Sequence, residues 1–139
     1  STARIKDMVF SFDKALNFDG ETEPYLQYTH ARTCSVLHKG GGAPDKVELS
    51  HLTDDASAAV LRLVGRFDDV VRDAAARYEP SIISRYLVDV AQAFNRFYID
   101  HRILGDGEES KARLKLTDMV RRVLKNGMHL ILLRAPQAM

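Results

Sequence analysis

The chain has 139 residues, 45% of them hydrophobic and 28% charged, the balance of one soluble domain with a real core. Twenty Lys and Arg against nineteen Asp and Glu leave a formal charge of +1, which excludes nucleic-acid binding by bulk electrostatics and confines any such contact to a local patch. No apolar run reaches the roughly 18–20 residues of a membrane span, no signal peptide is visible, and the single cysteine, Cys34, excludes an internal disulfide and fits a reducing, cytoplasmic setting.

Taken in chain order, Lys6 to Leu16 alternates around Met8, Phe10 and Phe12 and reads as an extended connector. Asn17 to Glu21 contains Asp-Gly and reads as a turn. Thr22 suits an N-cap, and Pro24 falls in the first helical turn, where its missing N–H costs nothing. The predicted helix runs to about Lys39, where Gly40-Gly41-Gly42 and Pro44 stop it. After Thr53, the acids Asp54 and Asp55 favour a helix start. Val60, Leu63, Val64, Phe67, Val70 and Val71 then recur at steps of three and four, the buried face of one helix. Glu79-Pro80 breaks it, and Pro80 opens the strongest helix, with an inner stripe of Ile83, Tyr86, Leu87, Val90, Phe94, Phe97 and His101 ending near Gly105 and Gly107. Glu108 and Glu109 open a last helix carrying Leu114, Leu116, Met119, Val120, Val123 and Leu124, with Asn126-Gly127 read as its C-cap. Met128 to Leu133 is a short apolar segment before the tail. The whole predicts an all-α fold, a single antiparallel helical bundle with short loops.

Catalytic constellations are sparse. No phosphate-cradling glycine loop is present. Cys34 has His30 and His38 one turn away on either side, but no third group orients them, and it reads as a semi-buried structural cysteine. Glu48 and His51 supply two metal-ligand types without a third, so no metal site is expected. Two helix faces stand out instead. Tyr25, Tyr28, Arg32 and Val36 fall on one side of the first helix, and Asn95, Tyr98 and Arg102 form a similar stripe on the Pro80 helix. Aromatic rings, a guanidinium and an amide are the groups that hold single-stranded RNA bases. The same residues also suit a core edge with polar tips, and the residues alone leave both readings open.

Four ordered blocks carry a resemblance. Asn17-Phe18-Asp19-Gly20-Glu21-Thr22-Glu23-Pro24-Tyr25-Leu26-Gln27-Tyr28-Thr29-His30-Ala31-Arg32 resembles the signature opening the C-terminal domain of class I arginyl-tRNA synthetases. Glu79-Pro80 with Ala91-Gln92-Ala93-Phe94-Asn95-Arg96-Phe97-Tyr98 resembles the family's second signature. Val123-Leu124-Lys125-Asn126-Gly127-Met128 and Ala135-Pro136-Gln137-Ala138-Met139 resemble its closing segment. The domain is named for an Asp-Ala-Leu-Arg sequence, here Asp118-Met119-Val120-Arg121.

The resemblance implies a helical bundle that reads the anticodon loop of tRNA(Arg), above all its central cytosine. Carried over by motif, the anticodon-binding residues are Tyr25, Tyr28, Arg32, Tyr98 and Met139; Asn95 and Arg102 enter by their place beside Tyr98. The resemblance also implies that residues 1–18 connect to a catalytic domain and that 19–139 form the anticodon-binding unit. The complete enzyme would use ATP and Mg²⁺ to charge tRNA with arginine. Its His-Ile-Gly-His-like and Lys-Met-Ser-Lys-like motifs are absent here, so this stretch alone is expected to hold no cofactor, to be inactive, and to engage neither membrane nor DNA. The alternatives are a helical protein-interaction module without RNA specificity, or a small enzyme built on Cys34 and a histidine.

Overall fold

A computed structural model describes the backbone of residues 22–134. The extended connector, the 1–18 boundary, the Asn17–Glu21 turn and Met139 with its tail lie outside the described residues. Within them there are five α-helices, α1 (Thr22–Lys39), α2 (Asp55–Val64), α3 (Phe67–Arg77), α4 (Ser81–Asp100) and α5 (Glu108–Arg134), with a single 3₁₀ turn at Leu49–His51. The all-α expectation holds. No helix among the described residues is long and apolar enough to cross a membrane.

Helix α4 is the central element. Of the predicted inner stripe, Ile83, Tyr86, Leu87, Val90, Phe94 and Phe97 are buried, with α1, α2, α3 and α5 packed around α4, whereas His101 lies past the helix end and is only partly buried. From α5, Leu116, Val120 and Leu124 are completely buried against this stripe. Full burial of such side chains is worth roughly 1.5–3 kcal/mol each, so this seam dominates the core.

The glycine stop after α1 is real. The Gly41 N–H donates to His38 C=O and the Gly42 N–H to Leu37 C=O, a Schellman arrangement with Gly41 at φ 82°. Helix α3 ends in the same pattern without a glycine: Tyr78 takes φ 56°, its N–H donating to Ala75 C=O and that of Glu79 to Ala74 C=O. Thr22 already lies inside α1 rather than before it.

Two boundaries differ from the sequence reading. The single helix expected after Thr53 is two, broken at Gly65 and Arg66. Its apolar face continues across the break, which is why periodicity does not reveal it. Tertiary contact compensates the interruption: the Leu63 carbonyl accepts from the Arg66 N–H at 3.1 Å and from the Tyr86 hydroxyl at 2.6 Å. Burial pushes the Tyr86 phenol up to about 12, with Asp68 adding and Arg66 opposing. Asn126-Gly127 does not cap α5, which runs on to Arg134 and takes the Met128 segment with it. Gly127 is there for clearance: a Cβ would stand 2.5 Å from Leu87 Cδ2.

Candidate nucleic-acid interface

Helices α1 and α4 meet through Asn95. Its Nδ2 donates to the Tyr25 hydroxyl at 3.1 Å and to Thr29 Oγ1 at 3.0 Å, and its Oδ1 accepts from Arg32 Nη1 at 2.9 Å. Thr29 is fully buried and in turn donates to the Tyr25 carbonyl at 3.0 Å. Both amide protons and the acceptor of Asn95 are thus engaged, fixing three residues of α1 relative to α4.

Arg32 is held between two rings. Its Cζ lies 4.3 Å from the Tyr98 ring centroid and 4.9 Å from that of Tyr28, and Nη2 donates to the Tyr28 hydroxyl. These distances suit cation–π contact with both rings. Tyr98 leans on the buried Phe94, with centroids 6.2 Å apart, which orients its ring from the core. The rings nevertheless face outward, Tyr28 being 57% and Tyr98 39% exposed. Both phenol oxygens accept within the site, Tyr25 from Asn95 and Tyr28 from Arg32.

Tyr28, Arg32 and Tyr98 open onto a groove of about 790 Å³ that also takes in Lys39, Ile99 and Arg102. Arg102 reaches this groove, but not as part of a helical stripe. Helix α4 stops at Asp100, and His101 is extended at φ −132°, ψ 137°. Past the stop, His101 Nε2 lies 2.9 Å from Asp54 Oδ2. Asp54 caps α2 at the same time, accepting from the Ser57 N–H at 2.9 Å and the Ser57 hydroxyl at 2.8 Å. Burial raises the Asp54 carboxyl, but the two Ser57 bonds and His101 outweigh it and leave its pKa lowered.

The structure therefore brings together six of the seven predicted residues. Tyr28, Arg32, Tyr98 and Arg102 line the groove, Tyr25 and Asn95 stand behind it, and Met139 is outside the described residues. Thr29, Lys39 and Ile99 were not singled out in the sequence. Lys39 sits seven residues past Arg32, two turns on the same face, so spacing contained that signal. Nothing in the sequence marks Thr29, because its role depends on where Asn95 arrives.

The other candidates recede. Cys34 is exposed rather than semi-buried, because its face of α1 is only partly covered. Its Sγ lies 3.9 Å from both His30 ring nitrogens. Burial, then Arg121 and Lys125, lower the His30 pKa. Asp118 and Arg121, at the ends of the Asp-Met-Val-Arg stretch, pair within α5, with Arg121 Nη2 2.9 Å and Arg122 Nε 3.0 Å from the buried Asp118 carboxylate.

Comparison with known proteins gives the family. Residues 26–139 match the model of the DALR anticodon binding domain. The chain is 50% identical to an arginine–tRNA ligase of Alkaliphilus metalliredigens, 45% to one of Halothermothrix orenii and 44% to one of Clostridioides difficile. The matches cover 99–100% of this chain and 25% of each relative, so the chain spans about a quarter of the length of the curated relatives it matches. A family match over all of α2 to α5 and most of α1, on a helical bundle that turns a tyrosine-flanked arginine to its surface, identifies the chain as a member of the DALR anticodon binding domain family.

Proposed function

We propose that this chain reads the anticodon loop of tRNA(Arg) as part of an arginine–tRNA ligase that charges tRNA with arginine in the cytoplasm. The observation that carries the reading is the Tyr28–Arg32–Tyr98 stack, exposed at the mouth of the groove and braced from behind by Asn95. Unstacked bases lie on the outward faces of the two rings, each such contact being worth ~1–3 kcal/mol. Arg32 supplies a fixed charge, and Tyr25 and Tyr28 supply hydroxyl donors. Asn95 acts as a positioning residue rather than a base contact, because its amide is already satisfied within the protein. Arg102 and Met139 complete the proposed set, with residues 1–18 as connector and 19–139 as the anticodon-binding unit.

Discrimination of the central cytosine follows from its amino donor and two acceptors. A pocket offering one acceptor and one donor leaves uracil with a lost pairing, which costs ~1–3 kcal/mol in a buried site. In the complete ligase ATP and Mg²⁺ would serve the charging step, and the reading routes no chemical step through this bundle.

An NMR titration tests the proposal, using an anticodon stem-loop with a central cytosine and the same loop with a central uracil. Shifts are expected at Tyr25, Tyr28, Arg32 and Tyr98, larger for cytosine. Shifts scattered over unrelated faces and equal for both loops would favour the protein-interaction module, for which Ile99, 77% exposed at the groove, is the supporting observation.

A further inference from the structure

We propose that the groove beyond the tyrosine pair is a phosphate track, in which Lys39 and Arg102 hold the sugar–phosphate backbone of an RNA strand whose bases are read at Tyr28 and Tyr98. This rests on the anticodon reading above and extends it to a second subsite.

The α1 wall of the groove carries Tyr28, Arg32, Ser35 and Lys39, at steps of four, three and four on one helix face. At 1.5 Å per residue this wall is roughly 16 Å long, with aromatic character at one end and an ammonium at the other. The opposite wall repeats the order. Tyr98 sits at the ring end, and after α4 stops, the extended segment from His101 carries Arg102 along the groove. That segment is fixed rather than loose. Arg113 Nη1 donates to the Arg102 carbonyl at 3.0 Å, the Ser110 hydroxyl donates to the Ile103 carbonyl at 2.7 Å, and Ile103 is buried.

The charge is one-sided. Arg32, Lys39 and Arg102 line the groove, and among the described residues no carboxylate does. Arg32 is committed to Asn95 and the two rings, and His101 to Asp54. Among the described residues Lys39 and Arg102 make no ion pair; the one bond involving Arg102 is to its backbone carbonyl. Two unpaired cations flanking one groove, in a chain of net charge +1, form the local patch that the composition left as the sole electrostatic route to RNA. An acidic peptide would satisfy the cations but leave the exposed ring faces without a matching surface. A single RNA strand satisfies both, charge along its backbone and flat faces on its bases.

The test is the salt dependence of binding for the 139-residue chain and the cytosine stem-loop. Each phosphate neutralised on a single strand contributes about 0.7 to the slope of log affinity against log salt, so the double variant Lys39→Gln/Arg102→Gln is expected to lower that slope by about 1.4. Lys39→Gln alone, at the residue outside the anticodon-binding set, is expected to lower the slope by about 0.7 and to leave the preference for cytosine over uracil as in wild type. Arg62→Gln/Arg72→Gln removes the same charge from exposed positions outside the groove and is expected to move the slope by less than half as much. An unchanged slope in the groove variant, or an equal change in the control, overturns the track. So does poly-glutamate competing as well as unlabelled RNA, which would assign the groove to an acidic protein segment. If cytosine preference is kept and the slope does not move, the track alone is lost. If the slope moves but wild type shows no base preference, the anticodon reading is lost and the track stands. A chain that binds neither loop removes both.

Discussion

Helix α4 makes two contacts of opposite kinds eight residues apart. Against α5, Leu87 fits over Gly127, where there is no side chain at all. Against α1, Asn95 reaches across to Tyr25, Thr29 and Arg32 with every polar group of its amide in use. The first contact is specified by shape, since an added Cβ would have to displace the Leu87 side chain. The second is specified by donors and acceptors, and tolerates exposure because its outer members, Tyr28 and Arg32, stay in reach of water. The core seam holds the bundle closed; the polar seam sets the angle and spacing at which two exposed rings flank a guanidinium.

That contrast yields predictions of decreasing size. Gly127→Val places atoms on Leu87 and is expected to destabilise the chain by about 3 kcal/mol in urea unfolding. Leu87→Ala in the same chain should recover part of the loss, because the two positions share one space. Additive effects of the two changes would break the shape argument. Asn95→Leu removes the amide's bonds to Tyr25, Thr29 and Arg32 while Thr29 keeps its bond to the Tyr25 carbonyl, at about 2 kcal/mol of stability, and is expected to weaken stem-loop binding as well. If stability falls and binding does not, the amide is structural only. Tyr98→Ala is expected to cost about 1.5 kcal/mol of stem-loop affinity with little change in urea midpoint; wild-type affinity in this variant would remove Tyr98 from the site.

Two smaller effects sharpen the comparison away from the groove. Tyr78 holds a left-handed backbone just before α4 while its side chain is 65% exposed, so Tyr78→Gly relieves strain without exposing core and is expected to stabilise by about 1 kcal/mol. Acidification should act on the flank of α1 that faces α5. The folded chain lowers the His30 pKa from its ordinary 6.5, chiefly through burial, then Arg121 and Lys125. Above pH 6.5 the ring is neutral in both states and stability is complete. As pH falls below that value the unfolded chain takes up the proton first, and stability declines until the folded ring also titrates. His30→Gln is expected to flatten urea midpoints between pH 7.5 and 5.5; an unaltered slope would assign the effect to other groups.

Helix spacing exposed most of this design in the sequence, and failed at identifiable places. The α4 stripe from Ile83 to Phe97 is buried as its periodicity requires. Tyr25, Tyr28 and Arg32 share a face because steps of three and four bring side chains together within one helix. The α2–α3 break escaped notice because the apolar period runs through it and its compensation, the Tyr86 hydroxyl on Leu63, comes from another helix. Gly127 was misread because a glycine that ends a helix and one that admits a neighbouring leucine look alike in one dimension. Arg102 was placed on a helical stripe, but α4 stops at Asp100 and His101 is extended.

The sequence by itself determined what lies within one helix: the all-α class, the glycine stop of α1, the inner faces, and the tyrosines and arginine of the first stripe. Those follow from local geometry, a period of 3.6 residues and the φ freedom of glycine. Only the tertiary structure decided what lies between helices. It set Arg32 between Tyr28 and Tyr98, made Asn95 a brace, and left Lys39 and Arg102 without ion-pair partners among the described residues. Such relations depend on crossing angles and on which residues sixty or seventy positions apart come into contact, and that is settled by the packing of the whole core around α4.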